Sequence, residues 1–282
     1  MTGRFAFAAL PFGFCLLVVG TAPAAPPVVG GPTIVTAHLG TATSATTEPT
    51  ANGACAEGMV EVEGEYCAEV LQVCAKWAGK DGEKRDRCAQ FRKSARCVGG
   101  PGSVSKKHFC IDKFEFPNRP GEKPVVAVNF EEARDQCKAV GKRLCGSEEW
   151  TVACEGPQHL PYPTGFSRDT NACNMDRPYI EPNNSAFVNP KTRDAELARV
   201  DQRDPSGARE ACVSPHGVFD MAGNVDEWVV NEHGSARKAP YDSGLKGGYW
   251  GPVRNRCRPM TTDHNRTHFG YQIGFRCCSD PK

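Results

Sequence analysis

The chain has 282 residues and a mass of 30.5 kDa, and 34 Lys and Arg residues against 33 Asp and Glu residues leave a net charge of +1. This balance argues against a nucleic-acid-binding protein, which usually carries a basic excess. Hydrophobic residues at 39% and charged residues at 24% are a globular mixture, whereas 15 cysteines are unusual for a cytosolic protein.

The first 24 residues are predicted to be a secretory signal peptide. Arg4 is a short positive n-region, residues 5–20 are apolar, and residues 22–24 (Ala-Pro-Ala) are a small-residue cleavage site. An uncleaved anchor helix is the alternative; after cleavage we expect no transmembrane segment. Cleavage also removes Cys15 and leaves an even number of cysteines, which predicts disulfides and a protein that is secreted or lies in the periplasm or cell envelope.

Residues 25–53 are predicted to be a flexible linker. They are rich in Pro, Ala, Thr and Gly, and they have too few large apolar groups to offset the entropy lost on ordering. From Cys55 to Cys278, cysteines, aromatic residues and charged residues are interleaved without a second linker or a repeat. Residues 54–282 are therefore predicted to form one domain.

Strands are predicted where apolar and polar residues alternate or where short apolar runs stand between turns. They are expected at residues 59–66, 109–116, 217–219, 225–230, 247–250 and 271–277. Residues 161–215 are predicted to be mostly loops, because Asn, Asp, Arg and Pro dominate there.

Helices are predicted where apolar residues follow helical spacing. They are expected at residues 70–78, 85–96, 131–140 and 147–154. Gly141 ends the third helix, and Ser147 begins the fourth, with Glu148 and Glu149 in its first turn. A few helices among short strands and long loops indicate the α+β class.

Four short stretches of sequence identify a resemblance. They are GKRL at 141–144 followed by Glu149 and Trp150, GVFDMAGNVDEW at 217–228, KGGYW at 246–250 and IGFR at 273–276. In this order they resemble the formylglycine-generating-enzyme family, whose domain is also called the sulfatase-modifying-factor domain. The resemblance covers about residues 55–278 and implies an irregular, loop-rich, C-type-lectin-like fold stapled by disulfides.

The cysteines bear on whether the family's oxidase chemistry is present. The resembling oxidases hold copper with two thiolates that follow a Gly-Gly pair, and soft thiolates suit copper(I). Counted from Gly247 and Gly248, the first of these positions is Pro252, which has no ligand atom, so copper is not expected. The same count puts Cys257 on the second ligand, whereas counting back from Gly274 puts Cys257 within one residue of a structural cysteine. We favour the structural assignment, which leaves Cys257 a weak catalytic candidate.

Four disulfides are expected in the larger part of the domain. The first two are implied by the resemblance, the third would close the central loop, and the fourth would lie beside the first. They are Cys137–Cys277, Cys154–Cys257, Cys173–Cys212 and Cys145–Cys278. The six cysteines between residues 55 and 110 allow about 15 connectivities, among which the sequence does not choose.

The loop at residues 220–227 resembles the family's calcium loop. The resemblance implies side-chain oxygens from Asp220 and Glu227 and backbone carbonyls from Gly223 and Val225. Calcium prefers about six to eight hard oxygen ligands, which two carboxylates and two carbonyls supply in part. An ordinary turn before a strand is the alternative.

A second calcium site of the family begins with an Asn and the carbonyl of the next residue. Here these would be Asn174 and Met175. The remaining ligands are expected among residues 194–204, where the resemblance does not align individual residues.

We therefore expect a sulfatase-modifying-factor-like protein without copper, stabilised by calcium, that serves as a binding or accessory module. By analogy with the family's groove, its partner is a peptide or a protein rather than a nucleic acid. One alternative is a formylglycine-generating-type oxidase or another peptide-modifying enzyme that uses Cys257. Another is a purely structural protein of the cell envelope.

Overall fold

A computed structural model describes residues 53–78, 87–100, 102–234 and 242–282. The predicted signal peptide, and the predicted linker up to residue 52, lie outside the described residues. Within the described ranges, no helix has both the length and the apolar character needed to cross a bilayer.

Short strands account for most of the regular structure. In chain order they are β1 (Met59–Cys67), β2 (Val70–Leu71), β3 (Cys74–Trp77), β4 (Cys88–Phe91), β5 (Arg96–Cys97), β6 (Val104–Asp112), β7 (Arg143–Leu144), β8 (Asp226–Val230), β9 (Ser243–Lys246), β10 (Met260–Thr261), β11 (Ile273–Phe275) and β12 (Cys277–Ser279). The predicted strand at 217–219 is reduced to an isolated bridge between Val213 and Phe219. The one predicted at 247–250 is a turn instead, because Gly247 and Gly248 have positive φ angles of 84° and 72°.

The strands form two larger sheets and two small ones. The first larger sheet has the order β1–β6–β12–β7, and its pairs are antiparallel. The second has the order β10–β9–β8–β11, in which β11 runs parallel to β8 and the other pairs are antiparallel. Strands β2 and β5 form one small antiparallel sheet, and β3 and β4 form the other.

The helices are short and pack beside these sheets. They are α1 (Phe130–Ala139), α2 (Ser147–Glu155), α3 (Asn184–Val188) and α4 (Arg193–Val200). The first two lie within one residue of the predicted bounds at each end, whereas α3 and α4 interrupt a region that was predicted to be loops. An ion pair within one turn stabilises α4. Arg199 donates two hydrogen bonds to Glu196, three residues earlier, at 2.9 and 2.6 Å.

Local hydrogen bonds determine where α1 and α2 begin. Asn129 caps α1 by accepting from the Glu132 amide at 2.9 Å, and the Glu132 carboxylate accepts from the Asn129 amide at 2.9 Å. Ser147 is the first residue of α2 rather than its cap, which is Gly146. The Glu232 carboxylate accepts from both the amide and the hydroxyl of Ser147, so a distant acid satisfies this helix terminus.

The helices predicted at 70–78 and 85–96 are wrong, since these residues contribute to β2, β3, β4 and β5. Disulfides explain the difference. Cys74–Cys88 links β3 to β4, and Cys67–Cys97 links the end of β1 to β5. Trp77, which lies within the first of these predicted helices, is 49% exposed at the end of β3.

All 14 cysteines between residues 53 and 282 are in disulfides. The bonds are Cys55–Cys110, Cys67–Cys97, Cys74–Cys88, Cys137–Cys277, Cys145–Cys278, Cys154–Cys257 and Cys173–Cys212. The last four join the cysteines that the sequence analysis paired. Three of them span 140, 133 and 103 residues, so each stabilises the fold by about 5 kcal/mol in the loop-entropy model.

A fully buried ion pair joins the two larger sheets. Arg276, between β11 and β12, donates two hydrogen bonds of 2.7 Å to Glu227 of β8, and the two side chains are 0% and 1% exposed. Trp150 of α2 donates its indole N–H to the same carboxylate at 2.8 Å. Arg276 also donates to the carbonyls of Asp112 and Phe219. The Arg276 guanidinium thus connects both larger sheets and the segment before β8. The Glu227 carboxylate, which also accepts from Trp150, connects α2 to the same ion pair.

Replacing this guanidinium should be strongly destabilising. In Arg276→Met, the Glu227 carboxylate stays buried without its counter-ion, which typically costs about 3–5 kcal/mol. The matched control is Arg119→Met, because Arg119 is 69% exposed and its pair with Glu122 contributes less than about 1 kcal/mol. Urea unfolding with disulfides intact measures both variants, and equal losses of stability would contradict the assigned role of Arg276.

Candidate functional site

The site is built around the turn that follows β9. Gly247 and Gly248 have positive φ angles, and a Cβ on Gly248 would lie 2.8 Å from the Asn255 side-chain nitrogen. The Gly248 amide donates to the Asp226 carboxylate at 3.3 Å, which anchors the turn to β8. Glycine is therefore required here both for the backbone conformation and for the close approach.

Aromatic side chains gather immediately after this turn. The Tyr249 ring lies 5.5 Å from that of Trp250 and 6.1 Å from that of Tyr271, and the Trp250 and Tyr271 rings are 5.8 Å apart. Trp250 is buried, Tyr249 and Tyr271 are half-buried, and Tyr179 is 59% exposed. The Arg177 amide donates to the Trp250 carbonyl at 2.8 Å, which places the segment carrying Tyr179 beside this cluster. We call Tyr179, Tyr249, Trp250 and Tyr271 the aromatic face.

The two half-buried tyrosines keep their protons. Burial raises the pKa of Tyr249 above its usual range. Burial also raises the pKa of Tyr271, and the neighbouring Tyr249 phenol raises it further. The two hydroxyls are hydrogen-bonded to each other with Tyr271 as the donor, so the Tyr249 hydroxyl is the one that can donate a hydrogen bond to a ligand.

Two arginines hold the loop that borders the aromatic face. Arg168 donates to both oxygens of Asp176 and to the Asn255 side-chain oxygen, each at 2.7 Å. Arg254 donates to Asp226 at 3.0 and 3.2 Å and to the Leu245 carbonyl. These charge-assisted bonds position the loop before any ligand binds.

The structure corrects the assignment of Cys257 as a candidate thiol. Cys257 is fully buried and bonded to Cys154, and its amide donates to the Pro161 carbonyl at 3.0 Å. A disulfide sulfur is neither a thiolate nucleophile nor a thiolate ligand for copper. Pro252 occupies the other expected position, so this region contains no thiol among the described residues.

A second feature is a cluster of three buried carboxylates, one of which lies on β8 itself. Glu115 and Glu227 are 0% exposed, and Asp220 is 4% exposed. Burial raises the pKa of Glu115 well above its usual range, and the charges of Asp220 and Glu227 raise it further. Burial likewise raises the pKa of Asp220 to about 6. Three carboxylates share one fully buried cation, Arg276, so ionising all three would leave an excess of negative charge, and Glu115 and Asp220 hold their protons to higher pH than usual.

The two loops expected to bind calcium touch each other. The Asn224 amide donates to the Asn174 carbonyl at 2.9 Å, and the Asn174 side chain donates to the Asn224 side-chain oxygen at 3.1 Å. Gly223 has a φ angle of 85°, and a Cβ there would lie 2.2 Å from the Asn174 carbonyl oxygen. Of the region 194–204, Asp204 reaches this junction, since its amide donates to the Asn224 side chain at 2.9 Å.

Several expected ligands already have other partners. Both oxygens of Glu227 accept from Arg276, and the Asn174 side-chain oxygen accepts from Arg177 at 2.9 Å. Met175 was expected to contribute its backbone carbonyl, and the packing of its side chain against the Cys173–Cys212 disulfide does not occupy that atom. Across the described ranges, no group of three or more His, Cys, Asp or Glu side chains is arranged to hold a metal ion.

Glu115 is the member of this cluster that the sequence analysis missed. Its carboxylate accepts from the Asn224 side chain at 2.6 Å and from the Val225 amide at 3.2 Å. Glu115 and Asp220 thus place carboxylate oxygens, the ligand type that calcium prefers, near the Gly223–Val225 backbone, although both already accept hydrogen bonds from the protein. An acidic residue between two phenylalanines gives no sign in the sequence that it will be buried, so only tertiary structure identifies it.

Known proteins resemble this chain over most of the folded part. The curated inactive C-alpha-formylglycine-generating enzyme 2 of Bos taurus is 29% identical over 196 residues, which are 65% of this chain and 55% of that protein. The serine/threonine-protein kinase pkn1 of Chlamydia caviae is 28% identical over 175 residues, 56% of this chain and 24% of that protein. The aligned region therefore spans only about a quarter to a half of these relatives' lengths.

A structural match and a match to a family model extend this similarity to the fold. The crystal structure of CarF matches with a TM-score of 0.50 at 15% identity, over 79% of this chain and 98% of CarF, which shows a common fold. The sequence model of the sulfatase-modifying factor enzyme 1-like domain matches residues 87–281, well over half of the chain. The protein therefore belongs to the sulfatase-modifying factor, or formylglycine-generating-enzyme-like, domain family, and it has that family's α+β fold.

Proposed function

We propose that this protein is a binding module that uses the aromatic face to take up an extended segment of a peptide or protein, without copper chemistry. The observation that carries the proposal is the state of the loop after the Gly-Gly turn. Pro252 stands at one expected copper-ligand position, and Cys257 is bonded to Cys154. The inactive relative in Bos taurus supports the view that members of this family persist without oxidase chemistry.

The chemistry of the aromatic face supports a peptide ligand. Tyrosine and tryptophan side chains offer large, rigid contact areas at a low cost in conformational entropy, which is why they dominate binding hot spots. The neutral hydroxyl of Tyr249, which accepts from Tyr271, can donate to a backbone carbonyl of an extended segment. The loop that borders them is already held by Arg168 and Arg254, so little ordering is needed on binding.

An export destination is part of this proposal. Seven disulfides form and persist in an oxidising compartment and are rare in the cytosol. We therefore place the mature protein outside the cytosol, either secreted or in the periplasm or cell envelope.

The peptide-binding role predicts selective loss of affinity when the aromatic face is truncated. Random linear peptides displayed on phage are selected on the immobilised protein, and the enriched sequences are synthesised for titration. Tyr179→Ala should weaken their binding about tenfold, the usual effect of removing a hot-spot aromatic. Trp77→Ala, at an aromatic that is 49% exposed but outside the aromatic face, is the matched control and should bind as the parent does.

Two results would count against the aromatic face as a peptide site. In the first, enriched peptides bind Tyr179→Ala and the parent protein with equal affinity, which would place their site elsewhere. In the second, selection enriches no peptide above the background of an unrelated disulfide-rich domain.

We also propose that calcium stabilises the buried carboxylate cluster. Asp220 and Glu115 would supply carboxylate oxygens, and Gly223 and Val225 would supply carbonyl oxygens. The excess of buried negative charge supports this, because a divalent cation would remove the cost of burying these carboxylates in ionised form. The ion would contribute stability rather than chemistry, in keeping with a binding module.

The calcium proposal predicts that one substitution leaves the calcium-free protein no less stable but abolishes the stabilisation that calcium gives. Asp220→Asn removes a buried charge, so the chelator-treated variant should melt no lower than the parent. Calcium at about 100 times its Kd should stabilise the parent by about 2.7 kcal/mol and leave Asp220→Asn unchanged. Calorimetric melting and isothermal titration measure both effects. Asp263→Asn, at an exposed carboxylate, is the control that should keep the full stabilisation by calcium. A parent protein whose melting temperature does not change with calcium would contradict the proposal.

A further inference from the structure

A cavity of about 480 Å3 lies between the segment from the end of β1 through β2, the residue that follows β5, α2 and the β9–β10 pair. None of its lining residues belongs to the aromatic face or to the buried carboxylate cluster. Apolar side chains that include Leu71, Val98 and Met260 line part of it, and Leu71 and Val98 are 39% and 46% exposed. The cavity is thus open to solvent and has an apolar wall that suits the body of a small organic ligand.

A buried lysine lines this cavity. Lys246, the last residue of β9, is 2% exposed. Its ammonium nitrogen donates to the Arg258 carbonyl at 3.1 Å and lies 5.2 Å from the centre of the Trp150 ring. Among the described residues, no carboxylate lies within ion-pairing distance of it. A buried lysine that lacks a counter-ion is unusual, since lysines are almost never fully buried unless they are paired.

The surroundings favour the uncharged amine. Burial lowers the pKa of Lys246 to about 7, and the positive charges of Arg254 and Arg258 contribute in the same direction. Glu155 and Glu232 oppose this shift more weakly. A substantial fraction of the amine is therefore neutral near pH 7, which is the nucleophilic form.

The charges around the cavity argue against an anionic ligand. Arg258 is already committed, because it donates to both oxygens of Glu155 at 2.7 and 2.6 Å and to the Cys67 carbonyl at 2.9 Å. Glu69 lines the cavity, and Glu232 lies near enough to influence Lys246. A neutral ligand that reacts with an amine meets none of this repulsion.

We propose that this cavity binds a small neutral carbonyl compound, an aldehyde or ketone with an apolar body, and that Lys246 holds it as a reversible imine. The Lys246 nitrogen adds to the carbonyl carbon, and the carbon–oxygen double bond is replaced by a carbon–nitrogen double bond. The oxygen leaves as water with the two amine protons. Nothing is oxidised or reduced, and hydrolysis returns the free ligand.

The test uses hexanal as the probe on the intact, disulfide-bonded protein. Hexanal is added at a limiting concentration with sodium cyanoborohydride, which reduces an imine to a stable secondary amine, and peptide mass spectrometry locates the adduct. We expect Lys246 to be modified at least about tenfold more than any exposed lysine at pH 7, because their amines are almost wholly protonated. The yield at Lys246 should rise from pH 6 to pH 8.

Substitutions test whether the adduct requires the Lys246 amine itself or only the surrounding cavity. Lys246→Met should lose the selective adduct, whereas Lys107→Met, at a lysine paired with Glu148 outside the cavity, should keep it. Lys246→Arg retains a cation without an imine-forming amine and should also lose the adduct. The measurement on the parent protein needs no variant to fold, and labelling of Lys246 no greater than that of exposed lysines would overturn the proposal.

Discussion

A guanidinium buried without any contact with water constrains the rest of this fold. Arg276 can be accommodated only where its nitrogens meet acceptors, and Glu227 and the carbonyls of Asp112 and Phe219 accept from all three of them. Trp150 completes the arrangement through the same carboxylate. Two sheets with little regular secondary structure, held by long disulfides, thereby acquire one defined packing. Glu115 and Asp220 are buried near the same ion pair but accept from Asn224, Val225 and Gly207 instead, and the cost of ionising them there is the physical basis for the calcium proposal.

The disulfide between Cys154 and Cys257 links this scaffold to its proposed function. The bond fixes α2 to the loop that follows the Gly-Gly turn, and it leaves no thiol there for metal or oxygen chemistry. The adjoining surface carries aromatic side chains on a loop that is already ordered. We propose that the fold serves recognition in this protein, with chemistry of a different kind proposed for the separate cavity at Lys246.

Local signals in the sequence predicted what depends on local structure. Helical spacing that ends at Gly141 placed α1 within a residue of its observed bounds, and the acidic first turn after Ser147 did the same for α2. Alternation placed β1. The helices predicted between residues 70 and 96 failed because cross-strand disulfides, rather than apolar spacing, determine that region. Glu115 and Lys246 could not be predicted as buried, since burial of a charged side chain depends on partners distant in the chain. The resemblance to the family supplied the pairs Cys137–Cys277 and Cys154–Cys257, whereas the other two predicted pairs came from their positions in the chain.

Mass spectrometry of the purified protein, alkylated without reduction, tests the central claim most directly. That claim is that the loop after the Gly-Gly turn has no thiol and therefore serves binding rather than copper-dependent oxidation. The account predicts a cross-linked peptide that contains Cys154 and Cys257, with no alkylation at either residue. An alkylated Cys257 in the folded protein would contradict the account and would favour an oxidase that uses this thiol.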